Sequence, residues 1–186
     1  MKFLSVLISI IYFIYPFIIL YTFQYNIIGV IIPILIIASF TRWYIFKKSN
    51  NKYLTFISLS SFICLILLYL LMILKKNNEV FLYYPVLINF SLSFIFFFSL
   101  TQKQTIIEIF AKLKDPHIDE RGIKYIRKLT IVWGFFCFFN GCISLITTFL
   151  SLNIWAIYNG FLSYIFIGLF FIVELCIRYR YKNANK

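Results

Sequence analysis

Apolar residues along this chain fall into six long stretches that are separated by short polar gaps. Each stretch is close to the ~20 residues that an α-helix needs to cross a hydrocarbon core of about 30 Å. The hydropathy pattern therefore predicts six transmembrane helices, which span residues 3–23, 27–46, 54–74, 80–100, 129–149 and 154–177.

Polar and small residues inside these stretches are spaced so that they share one face of each helix, and we expect those faces to point inward. The faces comprise Ser5, Ser9, Tyr12 and Pro16 in the first stretch, Pro85, Asn89 and Ser93 in the fourth, Trp133, Cys137, Asn140, Ser144 and Thr148 in the fifth, and Ala156, Gly160 and Ser163 in the sixth.

Two interpretations of these faces stay open. Small residues let helix backbones approach, and Asn or Ser can hydrogen-bond across a helix interface, so the faces can serve packing alone. Asn89, Asn140 and Asn159 all fall toward the outer half of the membrane, where a polar lining could also receive the headgroup of a lipid or small molecule. The two interpretations can coexist.

A single acidic residue, Glu174, lies inside a predicted span, and Arg178 follows four positions later. This order favours an ion pair along one helix face. A carboxylate within a membrane is a functional candidate, but Glu174 lies about one turn from the cytoplasmic end, where Arg178 and water can satisfy it. We therefore interpret the pair as an orienting anchor in preference to a proton carrier.

Prolines interrupt three of the predicted spans, at Pro16, Pro33 and Pro85. Because proline removes a helical hydrogen bond, we expect these spans to bend. The Tyr-Pro pairs of the first and fourth spans hint at two inverted halves, as some transporters have.

The longest gap, residues 101–128, has a pattern of its own. Ile106, Phe110 and Leu113 recur at helical spacing and predict an amphipathic helix at the membrane interface, before a break and a basic helix start. Four potential metal ligands follow within the gap, but a solvated turn carries such residues routinely, and we predict no metal site. They are Asp115, His117, Asp119 and Glu120.

Basic residues are divided very unevenly among the gaps, with 16 of the 18 Lys and Arg on one set of alternating gaps and ends. Basic residues in short loops stay on the cytoplasmic side, so both termini are predicted to be cytoplasmic. The predicted cytoplasmic set is Lys2, Arg42, Lys47, Lys48, Lys52, Lys103, Lys112, Lys114, Arg121, Lys124, Arg127, Lys128, Arg178, Arg180, Lys182 and Lys186, and the outer set is Lys75 and Lys76.

Composition agrees with this assignment, because 62% of the residues are hydrophobic and only 13% are charged. We predict an all-α membrane helix bundle that forms one integral membrane domain over residues 1–186. The net charge of +12 is attributed to span ends near anionic headgroups, so nucleic acid is not an expected partner. With one histidine and no recognisable nucleophile motif, we expect no enzyme, no catalytic residue and no cofactor, and a membrane-bound lipid-modifying enzyme is the last-ranked alternative.

Three segments resemble an uncharacterised family of small bacterial inner-membrane proteins. They are YPVLIN at 84–89, WGFFCFFNGCISL at 133–145 and WAIYNGFLSYIFIGLFFIVELCIR at 155–178. Genes of that family are often found in clusters for aryl-polyene or related lipid-linked polyketide-like products, so the resemblance implies a supporting role with an envelope lipid. The Trp-led fifth span is more distantly similar to intracellular septation protein A, which implies envelope maintenance.

Together these observations favour a multi-pass protein of the bacterial inner membrane that is a carrier or accessory for an envelope lipid or polyene-type product. The alternative is a non-catalytic scaffold or envelope-maintenance protein that recruits cytoplasmic enzymes through residues 101–128. The expected partners are membrane lipids and, for the scaffold, those enzymes. The candidate polar positions are Asn89, Asn140, Asn159, Glu174 and Arg178.

Overall fold

The computed structural model of the protein describes residues 21–22, 28–48, 52–116 and 118–183. Every regular element in these ranges is helical. The α-helices are α1 (Ile28–Lys48), α2 (Lys52–Lys75), α3 (Tyr84–Leu100), α4 (Ile106–Lys114), α5 (Glu120–Thr147), α6 (Leu152–Ile157) and α7 (Ser163–Asn183); a 3-10 helix (Asn78–Tyr83) precedes α3, and a π turn (Tyr158–Leu162) joins α6 to α7.

Four helical segments in the described ranges are long and apolar enough to cross a membrane, which indicates a membrane protein. They are Tyr53–Lys75, Asn78–Leu100, Glu120–Thr147 and Leu152–Arg178. These segments correspond to the third, fourth, fifth and sixth predicted spans. The second predicted span coincides with α1, which is not one of the four, and the first lies outside the described residues, so a total of six spans stays a prediction.

The boundaries of the 101–128 gap differ from the prediction of a cytoplasmic loop. Its amphipathic helix is confirmed as α4, but α5 already begins at Glu120 instead of Leu129. Asp119 caps α5, because its side chain accepts a hydrogen bond from the Gly122 amide at 2.9 Å, and such a cap satisfies one of the free donors of a first turn. The gap is therefore mostly helical.

Pro85 occupies the first turn of α3, directly after the 3-10 helix. A first turn has no partner for its amide protons, so proline fits there without loss of a hydrogen bond. The expected bend at Pro85 is therefore replaced by a change of helix type. Pro33 lies inside α1, and Pro16 lies outside the described residues, as do the other residues of the first predicted inward face.

The most extensive helix contact is between α3 and α5, and α1 packs on α2, which in turn packs on α3. One apolar cluster joins α1, α2, the 3-10 helix and α6, and the Trp155 indole at its centre donates to the Leu82 carbonyl at 3.0 Å. At the α3–α5 contact, Ser93 Oγ donates to the Gly134 carbonyl at 2.9 Å. Buried hydroxyls thus find backbone partners across this interface.

The predicted inward faces of the fourth, fifth and sixth stretches are confirmed. Their members are buried or half-buried, whereas neighbouring Phe and Ile residues on the same helices are exposed. The helices therefore turn their polar and small residues toward the bundle and their large apolar residues toward the surroundings, as expected in lipid.

The π turn at Tyr158–Leu162 widens the helix between α6 and α7. In an α-helix, adjacent residues point about 100° apart, so they cannot share a narrow face. Here the adjacent side chains of Tyr158 and Asn159 are both buried. π turns of this kind occur frequently at functional sites.

Candidate functional site

Two of the candidate amides are hydrogen-bonded to each other. Asn140 Nδ2 donates to Asn89 Oδ1 at 2.9 Å, and the Tyr158 hydroxyl donates to Asn140 Oδ1 at 2.7 Å. Asn89 Nδ2 donates to the Pro85 carbonyl at 2.8 Å. Both polar atoms of each amide are therefore bonded within the protein.

The third amide forms a separate set of bonds. Asn159 Oδ1 accepts from Ser144 Oγ at 2.8 Å, and Nδ2 donates to Thr147 Oγ1 at 3.1 Å and to the Trp155 carbonyl at 3.0 Å. These bonds tie the α6 to α7 segment to the end of α5. Asn159 is buried although it is not on the predicted inward face of the sixth span, and the location of the three Asn residues in the outer half of the membrane stays a prediction. Tyr158, Thr147 and Trp155 are bonding partners that helical spacing did not single out.

The internal bonding of these amides favours one of the two interpretations of the inward faces, because every amide nitrogen and oxygen already has a partner within the protein. A headgroup receptor needs donors or acceptors that can turn to a ligand, whereas bonded amides inside a bundle specify helix positions. Asn89, Asn140 and Asn159 have the second arrangement. The geometry supports a packing role for them.

A crevice of about 300 Å³ lies at the other end of the bundle. Asn159 and Glu174 belong to one continuous helical segment and are separated by about 22 Å at the rise of an α-helix. The crevice is lined from α2, α3, α4, α5 and α7 by Leu54, Ile57, Phe96, Ile106, Ile107, Phe110, Leu129, Trp133, Phe171, Glu174 and Arg178. Its walls are thus apolar and aromatic, apart from one ion pair.

Glu174 and Arg178 form the predicted ion pair along α7. Arg178 Nε donates to Glu174 Oε1 at 2.7 Å, and Nη2 lies 2.5 Å from the same oxygen. The side chain of Glu174 is 3% exposed and that of Arg178 is 47% exposed. The carboxylate is therefore enclosed, while the guanidinium stands at the edge of the crevice, and the anchor interpretation agrees with this geometry.

One wall of the crevice is α4, which is fixed to the bundle by polar contacts. Thr105 caps α4, and the Thr130 hydroxyl of α5 donates to Thr105 Oγ1 at 3.2 Å. Glu108 is buried and its Oε1 pairs with Lys112 Nζ at 2.7 Å. The Thr130–Thr105 bond thus ties the start of α4 to α5, whereas the Glu108–Lys112 pair lies within α4. Ile106, Ile107 and Phe110 of α4 line the crevice.

Potential metal ligands do not converge in the described part of the chain, where no group of three His, Cys, Asp or Glu residues could hold an ion. Asp119 caps α5 and Glu120 lies in its first turn. Asp115 follows α4, and His117 lies outside the described residues.

Comparison of the chain with known protein families, curated proteins and solved structures found no match. The resemblance to the bacterial inner-membrane family stays an expectation that these comparisons do not test. The geometry of the crevice is therefore the basis for a functional proposal.

Proposed function

We propose that this protein is a lipid-handling component of the bacterial inner membrane that holds the apolar chain of an amphiphile in its crevice. It acts as a carrier or accessory for that amphiphile. In this arrangement the chain crosses the membrane several times, with both termini in the cytoplasm and the crevice at the cytoplasmic end.

The composition of the crevice carries this proposal. Ligand pockets are mostly apolar with a few polar groups that orient the ligand, and they occupy about 300–1,000 Å³. The crevice combines apolar walls with a single ion pair and has about 300 Å³ of space. An amphiphile has the matching division, with one polar head and one apolar chain.

Binding without catalysis is the simpler assignment. The two ionisable side chains that line the crevice, Glu174 and Arg178, are paired with each other. General acid or base catalysis requires a group within reach of the substrate, and the Glu174 carboxylate is 3% exposed and bonded to Arg178.

A matched pair of substitutions on α2 tests the proposal. Ile57 lines the crevice, whereas Ile63 is on the same helix and 46% exposed. Ile57→Trp should fill part of the crevice and reduce the amphiphile that remains with the purified protein in native mass spectrometry, while Ile63→Trp should leave it unchanged. Equal retention by both variants, with equal thermal stability, would contradict the proposal.

Ile57→Trp and Ile63→Trp can also be compared in cells, by mass spectrometry of the lipids in organic extracts from cells with and without the protein. One lipid class should change on loss of the protein and be restored by the wild type and Ile63→Trp but less by Ile57→Trp. An unchanged lipid profile would favour the alternative, a non-catalytic scaffold that recruits cytoplasmic enzymes through residues 101–128.

A further inference from the structure

We infer that the crevice selects a single-chain amphiphile with an anionic headgroup, such as a long-chain carboxylate, and that Arg178 binds the headgroup. This inference rests on the proposed function, because it names the class of amphiphile that the crevice holds. It follows from the exposure of the ion pair, from its hydrogen-bond geometry and from the size of the crevice.

The two charges of the ion pair differ in their access to a ligand. The Glu174 side chain is 3% exposed, so a cationic headgroup cannot approach it without displacing its surroundings. The Arg178 side chain is 47% exposed at the edge of the same crevice. The accessible charge is therefore positive, which favours an anionic headgroup.

The guanidinium has donors to spare for a second acceptor. Arginine carries five N–H donors, and the contacts of Arg178 Nε and Nη2 with Glu174 converge on one carboxylate oxygen, Oε1. The donors on the far edge can bind a carboxylate or phosphate in the paired geometry for which arginine is suited. Glu174 then holds Arg178 in place and also competes with the ligand for the same guanidinium.

The charges around this end of the bundle point the same way. Exposed lysines, Lys103 after α3 and Lys124 and Lys128 on α5, belong to the basic set that is predicted to face the cytoplasm. The buried carboxylate of α4, Glu108, is paired with Lys112. A basic surface attracts anionic amphiphiles along the membrane, whereas it repels cationic ones.

The dimensions fit one acyl chain. A methylene group takes up about as much space as a water molecule, whose share of liquid volume is about 30 Å³, so roughly ten methylenes fill the crevice. Arg178 and Phe170, whose ring meets that of Trp133 edge to face at 4.7 Å between centroids, are about 12 Å apart along α7 at the α-helical rise. A chain that begins at Arg178 therefore ends near Trp133.

The position of Trp133 supplies a direct test, because bromine quenches indole fluorescence only at close range. The purified full-length protein, in a neutral detergent, is titrated with three probes that share one chain: dodecanoate, dodecanol and dodecylamine, each brominated at the terminal carbon. Trp133→Phe gives the background from Trp43 and Trp155. We expect dodecanoate to quench Trp133 at a concentration about tenfold lower than dodecanol and dodecylamine.

Variants of the ion pair should shift this preference in opposite directions. Arg178→Gln should lower the affinity for dodecanoate about tenfold, to the affinity for dodecanol. Glu174→Gln should raise the affinity for dodecanoate, because the guanidinium loses its competing partner. Lys124→Gln removes the same charge from the nearby surface and should change dodecanoate binding by no more than about twofold.

The outcomes separate this inference from the proposed function. Equal quenching by the three probes that disappears in Trp133→Phe would retain the crevice as an amphiphile site and overturn the anionic preference. Quenching that is the same in Trp133→Phe would show that no probe enters the crevice and would overturn the proposed function itself.

An equal loss of dodecanoate affinity in Lys124→Gln and Arg178→Gln would mean general attraction by the basic surface and would also overturn the role of Arg178. If Arg178→Gln fails to fold, the double variant Glu174→Gln with Arg178→Gln replaces it, because that variant leaves no unpaired buried charge. Its affinity for dodecanoate should equal its affinity for dodecanol. If the double variant also fails to fold, the affinities of the wild type for the three probes decide whether the anionic preference exists.

Discussion

Individual amides in this protein have the chemistry of a polar site but the bonding of structural residues. Asn140 is the clearest case, because one of its polar atoms is bonded to Asn89 on α3 and the other to Tyr158 in the π turn. Sequence alone predicted that Asn140 faces inward. It could not predict that both of these atoms have partners within the protein, since that depends on how two other helical segments approach α5.

Asn140→Ala should therefore lower stability without lowering amphiphile binding. The substitution leaves Asn89 Oδ1 and the Tyr158 hydroxyl without this bond in a buried region, and an unsatisfied buried polar group costs about 1–3 kcal/mol. Double-mutant cycles for hydrogen bonds between membrane helices give a smaller average of ~0.6 kcal/mol, so we expect a loss between these values. Thermal unfolding in detergent measures the loss, and quenching of Trp133 by brominated dodecanoate measures binding. Asn153→Ala, at an exposed position in α6, is the control.

The opposite result is equally informative. An Asn140→Ala protein with wild-type stability and weakened binding would restore the interpretation of the Asn residues as a ligand lining. It would also move the binding site away from the crevice.

At the level of elements, the close contact of α3 and α5 depends on a glycine. A Cβ atom placed on Gly141 would lie 3.1 Å from the Phe90 ring and 3.2 Å from Asn89 Cβ, whereas a Cβ on Gly168 in α7 would meet nothing within 4 Å. Small residues at such contacts let membrane helices pack closely. Asn89 Cβ is part of the α3 framework, so a larger side chain at 141 must push the two helices apart.

Gly141→Val should destabilise the protein by about 1–3 kcal/mol, as overpacking of a helix contact does. Gly168→Val adds the same atoms on an open face and should have little effect. Resistance to unfolding by a denaturing detergent compares the two variants. Equal stability of both would mean that α3 and α5 can separate at no cost.

The π turn sets the rotation of α7, and through it the position of Glu174. A π turn accommodates one residue more than an α-helical turn. Because the π turn absorbs one extra residue, deletion of Phe161, whose side chain is exposed, should leave an α-helical turn with α7 in its present orientation, and dodecanoate should still bind. Deletion of Phe166, which is 45% exposed within the regular helix α7, should instead rotate the rest of α7 by about 100°. We expect this second deletion to abolish dodecanoate binding, because Glu174 and Arg178 leave the crevice.

Phe161→Ala and Phe166→Ala are the matched controls for the two deletions, since they remove the side chains and keep the residue count. Both should bind dodecanoate as the wild type does. Binding that survives the deletion of Phe166, with intact folding, would show that the orientation of α7 does not position the ion pair for the ligand.

The limits of sequence-based prediction are visible at this scale. Hydropathy placed the spans that the described helices occupy, and helical spacing identified their inward faces, because both properties are local. The π turn, the 3-10 start before Pro85 and the crevice were not predicted, since each depends on contacts between distant segments. The crevice in particular draws Leu54, Phe96, Ile107, Trp133 and Phe171 from five helices, and no spacing along the chain relates them.

For the whole molecule, orientation decides which leaflet the crevice serves. The uneven division of Lys and Arg, with 16 of 18 on one side, predicts that Arg178 and α4 lie at the cytoplasmic surface. An anionic amphiphile made by cytoplasmic enzymes would then reach the crevice from the inner leaflet. The turn after α2, which carries Lys75 and Lys76, would lie on the outer side.

Single cysteines at the two ends test this orientation in a protein whose four native cysteines are replaced by alanine. Lys75→Cys should react with a membrane-impermeant thiol reagent in intact cells, because Lys75 is exposed and is the last residue of α2, at the end that is predicted to face outward. Lys103→Cys should react only after the cells are permeabilised. Removal of Lys75 strengthens the charge bias, and Lys103 is one of many basic residues on the predicted cytoplasmic side, so neither substitution should change the orientation. The reverse labelling pattern would place the crevice at the outer surface and would require an amphiphile supplied from outside the cytoplasm.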